Sequence, residues 1–352
     1  MRRYHDMAVC LALLVSALAG PSRVQAADAA AATADGPAAW MTAAEDALRA
    51  HDDARAQTLL ARVLTADPRS IAAHVWLGDL AFRRDALGEA LEHYQAAARL
   101  DPNDVEVRDR LDVIAAYRQA DAGFSRLFSA HFLVKYHAGD HTLAVSVSER
   151  LESIFETVGR TLQYRPDRPI TVMLHSDATF TRLTGSPPWA HGLFDGKIHL
   201  AAEALRRTPD KLSQALAHEY AHAVVHRISG GRTPTWLSEG IALELAGGPV
   251  AVVSEQEWAH MAPLHALHGS FLGLDRRDAA IAYAESRGAV HLLVQRHGWL
   301  GLRHLLETLN QTPDFSTAFE QTFREPYREF ERRWTASRPR ASRIAPAMQE
   351  HG

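Results

Sequence analysis

The stretch LAHEYAHAVVHRIS, residues 216–229, sets His218, His222 and His226 four residues apart, with Glu219 directly after the first. Positions i and i+4 share one face of an α-helix, so His218 and His222 can present imidazole nitrogens to a single ion. Glu219 is turned about 100° from His218 around the helix axis. That puts it beside the ion's open position and outside the ligand set. The chain holds 20 histidines in 352 residues, so the motif is weak by itself and its surroundings must decide. A catalytic zinc site takes three protein ligands and keeps one position open. His226 does not qualify as the third: eight residues from His218 is about 12 Å of helix rise, against Zn–N bonds of about 2 Å. It belongs at the rim of the site or beside a carboxylate.

The better third ligand lies in PTWLSEGIALEL, residues 234–245. Gly230 and Gly231 end the histidine helix, Pro234 opens the next, and Glu239 follows inside it. An antiparallel return after so short a loop carries Glu239, 17 residues beyond His222, back past that histidine. Two histidines and a glutamate around an open position make a hydrolytic zinc arrangement. Glu244 is either a supporting carboxylate or part of a solvated face. His191, His199 and His291 either line the cleft or sit in packed or surface positions.

The elements that must hold these residues change character along the chain. LLARVLTADPRS (59–70) and YQAAARLDPNDV (94–105) align with their Asp-Pro pairs 34 residues apart, the tetratricopeptide period. The second unit carries Leu77, Gly78, Ala90, Tyr94, Ala97 and Pro102 in register, and the first Trp40, Ala56, Leu60 and Pro68. Small residues let paired helices approach, and proline ends each second helix. Residues 104–120 add a capping helix. Beyond Gly123, HFLVKYH (131–137) and PITVMLHS (169–176) read as strands, with helical spacing between them. HGLFDGKIHLA (191–201) reads as a third strand or as a hairpin broken at Asp195-Gly196. Helices are expected over 208–229, 234–246, 254–266, 278–297, 299–311 and 314–336. A helical array followed by a small sheet and a helical lobe is an α+β pattern.

The ends lie outside that fold. Arg2 and Arg3, the apolar run MAVCLALLVSALA (7–19) and the small residues up to Ala26 form a signal peptide. Thirteen apolar residues are too few to cross roughly 30 Å of hydrocarbon. Cleavage after Ala26 removes three arginines and one aspartate, taking the net charge from −4 to −6. It also removes Cys10, the only cysteine. Any transition metal must then be held by histidine and carboxylate. The expected order is signal peptide 1–26, linker 27–37, helical repeats 38–127, a second domain 128–336 and a disordered tail 337–352. A periplasmic or secreted protein follows, with no stable membrane insertion after cleavage. The acidic balance argues against a nucleic-acid partner.

HEYAH followed by WLSEGIA resembles the gluzincin zinc metallopeptidases, whose third ligand is the Glu of a W-L-x-E-G-x-A segment. Residues 131–336 are similar to the bacterial peptidase MA-like proteins, which often carry tetratricopeptide (TPR) repeats upstream and share the "YAxS…LLVxRHG" helix and "F…EFERRW"-like end. The resemblance implies a TPR solenoid followed by a gluzincin-like domain, with His218, His222 and Glu239 on Zn²⁺ and Glu219 as general base. It implies hydrolysis of a peptide or protein substrate, with the repeats recruiting a partner. Tyr283 occupies the place of a tyrosine recurring in related families, where a phenol can donate to the oxyanion; packing at a helix start is the other reading. Two departures limit the carry-over. GLFDGKIHLA has no G-x-M-E-N-type run for a substrate amine, which disfavours an aminopeptidase and leaves an endopeptidase. Leu243 stands where thermolysin-like enzymes have an Asp. The alternative is a TPR-based binding scaffold with an inert peptidase-like domain.

Overall fold

A computed structural model describes residues 36–49, 52–187, 190–248, 253–254, 262–271, 273–312 and 314–337. The expected signal peptide, most of the linker and of the 254–266 helix, and the tail from 338 lie outside the described residues. Among the described residues, no helix is long and apolar enough to cross a membrane.

Among the described residues five helices come first: α1 Pro37–Arg49, α2 Asp53–Ala66, α3 Ile71–Arg83, α4 Leu87–Leu100 and α5 Val105–Asp121. The helices α3, α4 and α5 each start 34 residues after α1, α2 and α3 respectively. The Asp-Pro pairs sit at equivalent corners, where Asp67 and Asp101 accept from the amides of Arg69 and Asn103 at 3.0 and 2.9 Å. Gly78 lets α3 and α4 meet, because a Cβ there would lie 2.6 Å from Tyr94 Cδ1. The Tyr94 hydroxyl donates to Asp79 at 2.7 Å, and Arg110 of α5 donates to the same carboxylate at 3.0 Å.

The sheet is mixed and five-stranded, in the order β1-β2-β3-β5-β4. Strand β1 (Ser125–Phe128) runs antiparallel to β2 (Phe132–Tyr136). Strands β2, β3 (Ile170–His175) and β5 (Ile198–Ala201) are parallel, and β4 (Gly192–Phe194) closes the edge antiparallel to β5. The 191–201 segment is thus a hairpin. Between β2 and β3 runs α6, His141–Leu162, with the bounds expected from its apolar spacing. Register partners share a face of a sheet. One row is Val134, Val172, Ile198 and Phe194; the other is Lys135, Met173, His199 and Leu193. The first row is apolar, and Phe155 of α6 meets Phe132 on its side. The second carries charge and imidazole, yet its Lys135, Met173 and His199 are buried. Its partners come from the helical array: Lys135 donates to Asp121 at 2.7 Å and also to Asp85.

Short helices α7 (Asp177–Thr184) and α8 (Ala202–Arg207) flank the hairpin, then come α9 (Leu212–Ser229) and α10 (Thr235–Ala246). The chain forms two compact units, one of residues up to Glu156 with Pro166–Glu219, the other of Thr157–Arg165 with the chain from Tyr220 on. In the second unit, α11 (Arg276–Gln311) breaks at Gly298, where φ is 67°, between the two helices expected there. The single helix expected over 314–336 is instead two, α12 (Phe315–Phe323) and α13 (Tyr327–Ser337). Arg324 turns left-handed at φ 57° and Pro326 has no amide to continue the ladder. The core of this unit gathers on Trp236, fully buried and stacked on Tyr327 and Phe330 with ring centroids 6.3 and 6.5 Å away. Trp334 donates its indole N–H to the buried Glu285 at 2.6 Å.

Candidate metal centre

Helix α9 is apolar nearly all round: Leu216, Tyr220, Ala221, Val224, Val225 and Ile228 are buried. Such a helix is an internal one, and His218 and His222 occupy its half-exposed stripe. It stops where Gly230 and Gly231 take φ of 61° and 76°, values costly for residues with a Cβ. The Gly231 amide closes the end on His226 O at 3.0 Å. Pro234 then starts α10, its carbonyl accepting from Leu237 and Ser238 at 3.0 Å each.

The turn brings Glu239 to the histidines. One ligand atom each from His218, His222 and Glu239 lies within 4.8 Å of the other two. His222 Nε2 and Glu239 Oε2 are 3.4 Å apart. Two ligands bonded at about 2.1 Å in a tetrahedron stand about 3.4 Å from one another, so this pair has the spacing of atoms that share an ion. The other ring nitrogen of His222 lies 2.9 Å from Ser238 Oγ. A proton on Nδ1 donated to that hydroxyl leaves the Nε2 lone pair toward Glu239, the orientation a metal-binding histidine needs. Two imidazoles and a carboxylate suit zinc and give no thiolate for softer ions.

Gly240 fixes the height of Glu239. A Cβ there would lie 2.8 Å from Ser286 C and would also meet Ser286 O. Helices α10 and α11 therefore touch backbone to backbone at the residue after the carboxylate. One turn further, Glu244 accepts from Arg287 Nε at 3.0 Å and faces His291 Nδ1 at 2.7 Å. Burial raises its pKa, but the hydrogen bonds from His291 and Arg287 outweigh that and hold it below the usual range. Glu244 thus ties α10 to α11, and His291 belongs to that tie.

Glu219 is buried, 7% exposed, and lies against the edge strand. A Cβ at Gly192 would come within 2.6 and 2.7 Å of its Cγ and Cδ. The carboxylate thus occupies the space a side chain at Gly192 would fill.

His226 is not among the three clustered side chains. Tyr283 stands near the start of α11, half-buried and edge-on to Phe271 with ring centroids 5.5 Å apart. His191 has Asp177, Arg207 and Lys211 as its charged neighbours, and burial lowers its pKa. Its neighbour Leu193 packs with Phe180 and Ala204, which puts His191 on the sheet face opposite Glu219. His199 is fully buried and hydrogen-bonded to His175 at 2.9 Å, so it lines no cleft. Three residues that shape the centre carried no chemical signal in the sequence: Ser238, Gly240 and Gly192. The first two lie inside the WLSEGIA segment; Gly192 could have been found only by knowing which strand meets α9. Compared with protein-family models and with curated proteins, the chain matches none.

Proposed function

We propose that the protein is an exported zinc metallopeptidase, most simply an endopeptidase, whose N-terminal helices form a tetratricopeptide-type array. The convergence of His218, His222 and Glu239, with Glu219 buried beside them, carries this reading. The resemblance of HEYAH…WLSEGIA to the gluzincins supports it, as does the 34-residue recurrence of the helices.

His218, His222 and Glu239 would hold the ion, with Ser238 fixing the ring of His222. Bound zinc supplies Lewis acidity, lowering the pKa of water toward about 7 and polarising a carbonyl. Glu219 takes the proton from the attacking water and hands it to the leaving amine. Its confinement against Gly192 limits the positions that carboxylate can occupy. Among the described residues, strand β4 pairs with β5 on one side and ends the sheet on the other. An extended peptide laid along that outer edge would gain main-chain hydrogen bonds without a fixed side-chain requirement. This suits cleavage within a chain.

The test is zinc analysis of the mature protein with cleavage of a denatured-protein library, wild type against Glu219→Gln. The expected result is about one zinc per chain in both proteins. Hydrolysis should be at least about 10²-fold slower in the variant, the lower bound for a general base. Stoichiometric zinc with no hydrolysis by wild type over a broad library and pH range would leave the inert scaffold as the better reading.

A further inference from the structure

The helical array and the edge strand meet at the β4–β5 turn, and the contact is built from buried charge. Lys197 is 1% exposed. Its ammonium donates to Phe82 O at 3.0 Å and stands 3.8 Å from Asp85 Oδ1. It also lies over the Phe82 and Tyr117 rings, 4.2 and 5.3 Å from their centroids. Asp195, two residues earlier, accepts from Tyr117 OH at 3.4 Å and His199 Nε2 at 3.0 Å. Gly196 between them has φ +110°, and a Cβ there would be 3.2 Å from Arg83 O. The turn tip is therefore seated in the corner between α3 and α4, with α5 behind it.

That corner is itself shaped for the lysine. Asp85 adopts a left-handed φ of 62°, and its amide closes on Phe82 O at 3.0 Å. The same carbonyl accepts from Lys197. Strand β4 has three residues and, among the described residues, one neighbouring strand. Its other end, Gly192, is the wall against Glu219.

We infer that Lys197 is a positioning residue through which the helical array sets the β4–β5 hairpin, and with it the wall behind Glu219 and the edge offered to a substrate. The array then acts as an internal brace of the site. The catalytic consequence rests on the peptidase reading; the brace itself does not.

Removing the ammonium should loosen the hairpin selectively. In full-length zinc-loaded protein, Lys197→Met should speed amide hydrogen exchange at residues 192–201 at least about tenfold, and leave 132–136 and 170–175 within about twofold. Zinc stoichiometry should not change, since the ligands lie on α9 and α10. For a peptide that the wild type cleaves, KM should rise more than kcat falls, because the edge strand binds the peptide and Glu219 does the proton transfer. Lys197→Gln is the second variant, with the same pattern expected at smaller amplitude, because an amide can still donate where the ammonium meets the Phe82 carbonyl. It removes the charge and leaves the Asp85–Lys135 pair on β2 in place, and it decides the matter if Lys197→Met does not fold. Exchange that rises equally over the whole sheet, or at no strand, overturns the brace. Selective loosening in a protein that cleaves no peptide leaves the brace standing and removes the peptidase reading.

Discussion

A methyl group at Gly192 tests the geometry around Glu219 more sharply than removal of the carboxylate does. Carbon atoms in contact sit roughly 3.5 Å apart or more. An alanine Cβ at 192 would find Glu219 Cγ and Cδ at 2.6 and 2.7 Å. The carboxylate must retreat by about 0.8–0.9 Å or the edge strand must lift by as much. Displacement of a reacting group by about 1 Å can cost roughly 10²-fold in rate. Overpacking of this size should also cost about 1–3 kcal/mol of stability. On the proposed peptidase reading, Gly192→Ala should therefore fold and retain zinc while hydrolysing peptide roughly 10²-fold more slowly, measured as kcat against zinc-normalised enzyme. The origin of the loss is separable. If the methyl acts by displacing Glu219, it has nothing further to displace once Glu219 has lost its function. Gly192→Ala in a Glu219→Gln background should then cost far less than it does in wild type, a breakdown of additivity that a double-mutant cycle measures. Full activity in Gly192→Ala, or equal losses in both backgrounds, would refute the argument.

The ligand assignment predicts that His218→Ala, His222→Ala and Glu239→Ala each lose most bound zinc by elemental analysis while His226→Ala keeps it; full occupancy in Glu239→Ala would mean a different third ligand. Gly240→Ala should push α10 off Ser286, lowering the melting temperature and weakening zinc binding together, and a variant with unchanged zinc affinity would show that Glu239 does not depend on that contact. His175 is fully buried, and burial together with His199 and His137 holds its pKa down to about 2, against 6.5 for the free side chain. The unfolded chain therefore binds a proton below about pH 6.5 that the folded chain refuses, so the stability is complete above that pH and falls as acid is added. The loss from pH 7 to 5 is about 2 kcal/mol. Urea unfolding of wild type and His175→Gln should show a steeper fall for wild type, and parallel pH profiles would remove His175 as the cause.

What could be read in the sequence is what local chemistry dictates. The 22 residues of α6 were legible because apolar residues recur at one helical spacing. The Gly-Gly stop and Pro234 start were legible because only certain residues fit those corners. That punctuation places Glu239 against His222 from the sequence alone. The split between α12 and α13 is not legible, because the apolar period continues across it, although Pro326 marks the break. Strand β1 is silent for another reason: SRLF is mostly exposed and has no buried alternation to announce it.

The buried row on the sheet was illegible in principle. Lys135 and Lys197 lie in segments that would pass for edge strands with solvated lysines, and their burial follows from Asp85 and Asp121, 50 and 14 residues before Lys135. A lone buried ammonium costs several kcal/mol even after relaxation, so the row is tolerable only with those carboxylates in place. Seen from either segment alone, the charge looks like surface. The repeat period, by contrast, is a property of the array by itself and was visible, but it says nothing about what the array leans on. The pairing that ties helices to sheet was therefore hidden by the same long-range complementarity that makes it specific. Truncation before Ser125 would leave both lysines of the covered face without Asp85 and Asp121, and an apolar covering could not substitute for them. The sheet is better described as a structure completed by the helices than as a platform to which they are attached.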